Sequence, residues 1–135
     1  MLRQEPPADE SRFWFLGRVA PAAAAEVLAA SDLHVYPSRP YPVARSLLEA
    51  MAAGCAVLAW DAEPVREVLA HGRSGLLVGG DPDEAARQAL RVLDDPAAHR
   101  PLGEAAAAVV RERYDRDVTL PRLAAWLGRL AGGGA

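Results

Sequence analysis

The chain reads as an α/β domain, a Rossmann-like parallel sheet flanked by helices. Three observations predict it. Short apolar runs, Leu33–Tyr36 and Cys55–Ala59, alternate with segments of helical periodicity. Pro37, Pro40 and Pro42 stop the first run and keep its last residues extended. The segment Val43–Gly54 then carries Leu47, Leu48, Met51 and Ala52 at helical spacing, and a second strand follows at once. Strand, loop, helix and strand in this order make a βαβ unit. The loop and the helix start lie at the carboxyl edge of such a sheet, the edge where open α/β sheets hold ligands, and free N–H groups there suit an anion such as a diphosphate.

The remaining elements follow in order. Residues 1–11 are polar with Pro6-Pro7 and read as a flexible lead-in to a single domain over 12–131. Arg12–Leu16 reads as a strand ended by Gly17, and Pro21–Ala30 as an alanine-rich helix with proline in its first turn. Pro64–Ala70 is a short helix closed by Gly72, and Gly75–Val78 a fourth strand. Asp81-Pro82-Asp83-Glu84 opens a helix as cap, first-position proline and acidic first turn, with Ala85, Ala89, Leu90 and Leu93 as its apolar stripe. Two further helices are expected near 97–114 and 118–131. The first turns Leu102, Ala106, Val109 and Val110 inward; the second carries Leu120, Leu123, Trp126, Leu127 and Leu130. Residues 132–135 form a frayed tail.

Composition narrows the function classes. At 135 residues and 51% apolar side chains the chain supports one core. A net charge of −3 provides no basic footprint for nucleic acid, and no apolar run reaches membrane-spanning length. All fifteen basic residues are arginine. The single cysteine, Cys55, forms no internal disulfide and suits a reducing, cytoplasmic setting as a small buried residue. No Cys/His cluster has metal-ligand spacing, no Walker-type glycine loop is present, and no Ser-His-Asp set stands out. His34 reads as a hydrogen-bonded imidazole in a strand, and His71 as a cation near a helix C-terminus.

The candidate site residues cluster around the first βαβ unit. The amides of Val43, Ala44 and Arg45, with Ser46, form the better phosphate cradle, because a helix N-terminus has unpaired donors. Arg39, after the first strand, is either a bidentate phosphate contact or a solvated loop arginine. Arg18 and Val19 follow a strand end facing the same cleft, and Asp61 follows another. Glu49 admits two readings. The plainer one is a solvated carboxylate paired with Arg45, four residues earlier, although cation before anion is the less favourable order on a helix. The other is a carboxylate facing the ligand edge and accepting hydrogen bonds from a diol.

Ser46 to Ala59, then Pro64-Val65-Arg66-Glu67-Val68-Leu69 and Gly72 to Val78, resemble the donor-binding, C-terminal domain of retaining GT-B glycosyltransferases, family 4 (glycosyl transferases group 1). Phe15–Val19 and Ala30–Ser38 stand in the same order and spacing, so the resemblance spans roughly Arg12 to Tyr114. It implies a nucleoside diphosphate sugar as donor, hexosyl transfer to an acceptor hydroxyl, and no required metal or other cofactor. It places Glu49 on the ribose hydroxyls and the backbone near Arg18 and Val19 on the base. The family's Glu-x7-Glu pair has Tyr41 at its first position here, beside the sugar, where a phenol replaces a carboxylate. The resemblance also implies two central strands and an N-terminal acceptor domain that have no counterpart in these residues. The chain is therefore expected to be an incomplete GT-B half, a truncated fragment or a short relic with little activity alone. The expected partners are a nucleotide sugar, with an acceptor domain or another chain completing the site. Two alternatives stay open: a non-catalytic nucleotide- or anion-binding module, and an interaction fragment that pairs through an exposed sheet edge, a homodimer among its forms. For the sheet itself, Arg12–Leu16 is expected to close the gap by pairing directly with Leu33–Tyr36.

Overall fold

The computed structural model describes residues 9–37 and 43–132. Its centre is a parallel sheet of three strands, β1 (Leu33–Tyr36), β2 (Ala56–Trp60) and β3 (Leu76–Val78), in that spatial order. Leu33 pairs with Ala56 and Tyr36 with Ala59, while Leu58 pairs with Leu76 and Trp60 with Val78. The helices are α1 (Pro21–Ala30), α2 (Arg45–Ala52), α3 (Glu63–Arg66), α4 (Pro82–Asp94), α5 (Pro96–Arg113) and α6 (Arg116–Gly132).

β2 is the axis of the core, and its alternation sorts the two faces. Val57 and Ala59 join Leu47, Ala50 and Met51 of α2, Val65 of α3, Leu69 just after it, and Ala106 of α5 on one side. Leu58 turns to the other side, with Val78 and Ala85 of α4. Both faces of the central strand are thus covered, which is why Ala56–Trp60 is nearly uninterrupted in apolar character. Gly54, at φ +76°, closes α2, and the Cys55 N–H reaches back to the Ala50 carbonyl at 3.2 Å. α5 comes so close at this point that a Cβ on Gly103 would fall on the Gly54 carbonyl oxygen. Cys55 is buried, and burial first, then Asp32, pushes its thiol pKa up.

Several expectations change. Arg12–Leu16 is not a strand: a 3-10 turn covers Glu10–Arg12, and Phe13–Leu16 follow as irregular chain. Trp14 and Phe15 are 79% and 88% exposed. The expected direct pairing with β1 is absent, so among the described residues the sheet has three strands, and β1 has β2 as its sole neighbour. Apolar composition alone does not make a strand; a partner edge must supply the hydrogen bonds. On α4 the buried stripe is Ala85 and Val92, with Leu90 and Leu93 exposed, because the helix presents to the sheet a face rotated from the one expected. α6 buries none of its residues, and its leucines and Trp126 face outward. α3 is one turn, with the chain from Glu67 to Ser74 held by reverse turns.

Two histidines also differ from expectation. His34 has a buried Nε2 without a hydrogen-bond partner, and burial lowers its pKa. His71 accepts the Leu77 N–H on Nδ1 at 2.9 Å, a cross-segment contact that the sequence did not indicate.

Candidate functional site

α2 begins where the chain leaves β1, so its first residues lie at the carboxyl edge of the sheet. The junction is pinned by Tyr36. Its ring is buried, and its hydroxyl accepts the Ala44 N–H at 2.9 Å. Ala44 occupies the cap position without a side-chain cap, and Leu47 N–H returns to its carbonyl at 3.0 Å. Among the described residues, the amides of Arg45 and Ser46 have no acceptor, as the first turn of a helix dictates. No acidic residue occupies that turn, so nothing there competes with an anion for the positive end of the helix.

An open cleft of about 640 Å³ runs along the seam between α1 and α2. Pro21, Ala24, Ala25, Leu28 and Ala29 form one wall, and Arg45, Glu49, Ala52 and Ala53 the other, with Val19 at the side. The small side chains of α1 make this wall low and apolar, and the cleft's charged groups are Arg45 and Glu49. Arg45 Nε donates to Glu49 Oε1 at 2.7 Å. The ion pair expected from sequence is therefore formed, and it is formed within the cleft.

The structure brings three sequence candidates together: Val19, Arg45 and Glu49 line one cleft. Arg18 is exposed beside it without lining it, and Val43, Ala44 and Ser46 lie at the exposed start of α2. Arg39 and Tyr41 lie outside the described residues. Asp61 is committed elsewhere. Its oxygens accept Arg66 Nε at 2.6 Å and Nη2 at 2.7 Å, and that hydrogen bonding holds its pKa below the usual carboxylate range. Tyr36 was not singled out from sequence as a site residue. Its signal was its place, the last residue of a strand directly before the proline loop. Among the described residues, no group of three or more His, Cys, Asp or Glu is placed to hold a metal ion, and no helix is long and apolar enough to cross a membrane.

Known proteins are similar to this chain in sequence and fold. A family model described as glycosyl transferases group 1 matches residues 2–95. The chain is 38% identical over 106 residues to the N-acetyl-alpha-D-glucosaminyl L-malate synthase of Bacillus anthracis, covering 78% of this chain and 27% of that protein. It is 34% identical over 129 residues to the phosphatidyl-myo-inositol mannosyltransferase of Mycobacterium tuberculosis, covering 90% of this chain and 33% of the relative. Among solved structures, the sucrose-phosphate synthase of Thermosynechococcus elongatus superposes with a TM-score of 0.84 at 26% identity, over 92% of this chain and 31% of the other. Anabaena HepE in complex with UDP-glucose superposes with a TM-score of 0.70 at 28% identity, over 76% and 29%. The chain thus spans about a third or less of the length of these relatives. Its parallel α/β sheet is part of a GT-B half, and the chain belongs to the group 1 glycosyl transferases.

Proposed function

We propose that this chain binds the nucleoside diphosphate sugar of a retaining hexosyl transfer to an acceptor hydroxyl. The observation that carries the reading is the meeting of Val19, Arg45 and Glu49 in one cleft beside the uncapped start of α2. Glu49 accepts the ribose hydroxyls. The backbone at Arg18 and Val19 lies against the base, with the apolar α1 wall opposite. The amides of Arg45 and Ser46, without an acceptor among the described residues, face the diphosphate, where preorganised donors stabilise leaving-group charge. Val43 and Ala44 shape the approach to that turn; Tyr41 is assigned to the sugar and Arg39 to a phosphate. In this reading amides and arginines stabilise the leaving group. Acceptor-side groups come from a further domain or chain, so the 135-residue chain by itself turns donor over poorly.

Calorimetric titration with UDP, UDP-glucose, GDP and ADP tests the assignment. Glu49→Ala should weaken the tightest of them by about 1.5–3 kcal/mol, the range for hydrogen bonds to a charged group. Equal affinity of the folded variant and the parent would refute it.

A second reading has its own observation. β1 has no second neighbour among the described residues, and Phe13–Leu16 are exposed close by in sequence. An open edge and an exposed aromatic segment each favour pairing with another polypeptide. Light scattering showing a dimer that binds none of the nucleotides would select it.

A further inference from the structure

Arg45 and Glu49 lie one turn apart on α2, and both line the cleft. Helix stability does not account for the pair. The side chains are 80% and 43% exposed, and such pairs contribute little and are screened by salt. The cation precedes the anion, the less favourable order, and it sits at the positive end of the helix dipole. α4 of the same chain is built the opposite way: Asp81 accepts the Asp83 N–H, and Asp83 and Glu84 fill the first turn. Local rules broken at one helix start and kept at another mark a place where something other than stability is served.

The geometry shows what the pair does. Arg45 engages Oε1 of Glu49, while Oε2 has no partner among the described residues. Helical side chains lean toward the N-terminus, and the contact with Arg45 holds the carboxylate in that direction from its own Cα. A glutamate with three rotatable side-chain bonds loses freedom whenever it must meet a ligand. One already tethered by a guanidinium loses less of it on binding.

We propose that Arg45 is a positioning residue for Glu49: its Nε holds Oε1 so that Oε2 is presented to the vicinal diol of a nucleotide ribose. The inference rests on the nucleotide-binding reading above and assigns Arg45 a side-chain role beyond that of its amide. It also unites the two sequence readings of Glu49, because the ion pair is the means by which the carboxylate is aimed.

The test compares a nucleoside diphosphate with its 2′,3′-dideoxy analogue, using whichever of UDP, GDP and ADP binds best. Calorimetry is run on the wild-type chain, Glu49→Gln, Arg45→Ala and Arg45→Lys. The wild type should prefer the ribose form about tenfold or more, as expected for hydrogen bonds to a charged acceptor. Glu49→Gln and Arg45→Ala should each reduce that preference to less than about threefold, and Arg45→Lys, a point charge without the planar fork, should fall between. The thermal midpoint of Arg45→Ala should stay within error of the wild type, since the pair is exposed. If Arg45→Ala weakens both ligands by the same factor and keeps the full preference, Arg45 is only an anion contact and the positioning role is overturned. If the wild type shows no preference, or binds none of the three, the Glu49 reading itself fails and this role fails with it.

Discussion

Replacing Tyr36 by Phe removes one oxygen atom and leaves the ring in the core. That oxygen accepts the Ala44 N–H at 2.9 Å and ties the carboxyl end of β1 to the start of α2 across the proline loop. A net hydrogen bond contributes about 0.5–1.5 kcal/mol. Ala44 is exposed, so water can take over its stranded N–H, and the loss belongs in the lower part of that range, about 0.5–1 kcal/mol. For a chain of this size that corresponds to a thermal midpoint lower by about 2–5 °C. Urea unfolding should show a lower midpoint concentration at unchanged slope. Tyr36→Ala gives the contrast: it also empties the buried ring site, at a cost of about 3–5 kcal/mol. Tyr36 does not line the cleft, yet it holds the Ala44 amide at the start of α2. Tyr36→Phe should therefore weaken nucleoside diphosphate binding severalfold in calorimetry. A variant with the stability, slope and affinity of the parent would show that the hydroxyl does not hold the junction.

Two further outcomes test the packing and the electrostatics. Gly103→Ala should destabilise by about 1–3 kcal/mol, because the new methyl meets the Gly54 carbonyl oxygen and 2.8 Å away its carbon, rigid backbone on both counts; urea unfolding unchanged from wild type would mean that α5 stands farther off. Burial lowers the His34 pKa, so the neutral ring is favoured in the fold. Its contribution is fully present above the unfolded value near ~6.5 and is lost as pH falls through the lower folded value. Thermal midpoints measured from pH 7 to 4 should therefore drop more steeply for the wild type than for His34→Phe, and parallel curves would remove His34 as the cause.

What the sequence determined by itself is what acts over a few residues. Pro37 ends β1, Gly54 closes α2, and Asp81-Pro82 starts α4, each through the conformation or hydrogen bond of that residue alone. The order of motifs from Phe15 to Val78 likewise carried the family, whose model matches residues 2–95. Glu49 and Val19 were legible as candidates for that reason, and both line one cleft. Tertiary structure decided everything that needs a second element. Phe13–Leu16 have strand composition but pair with no strand, so they stay irregular. Val92 replaced Leu93 on the buried stripe of α4, because the sheet selects which face of an amphipathic helix it covers. His71 became an acceptor when β3 brought the Leu77 N–H to its ring. Tyr36 came to pin the start of α2 when that helix placed Ala44 at its hydroxyl. Periodicity and capping are properties of neighbours along the chain, whereas an edge, a face or a cleft exists only where two separate segments meet, and their meeting is set by the burial and hydrogen bonding of the whole.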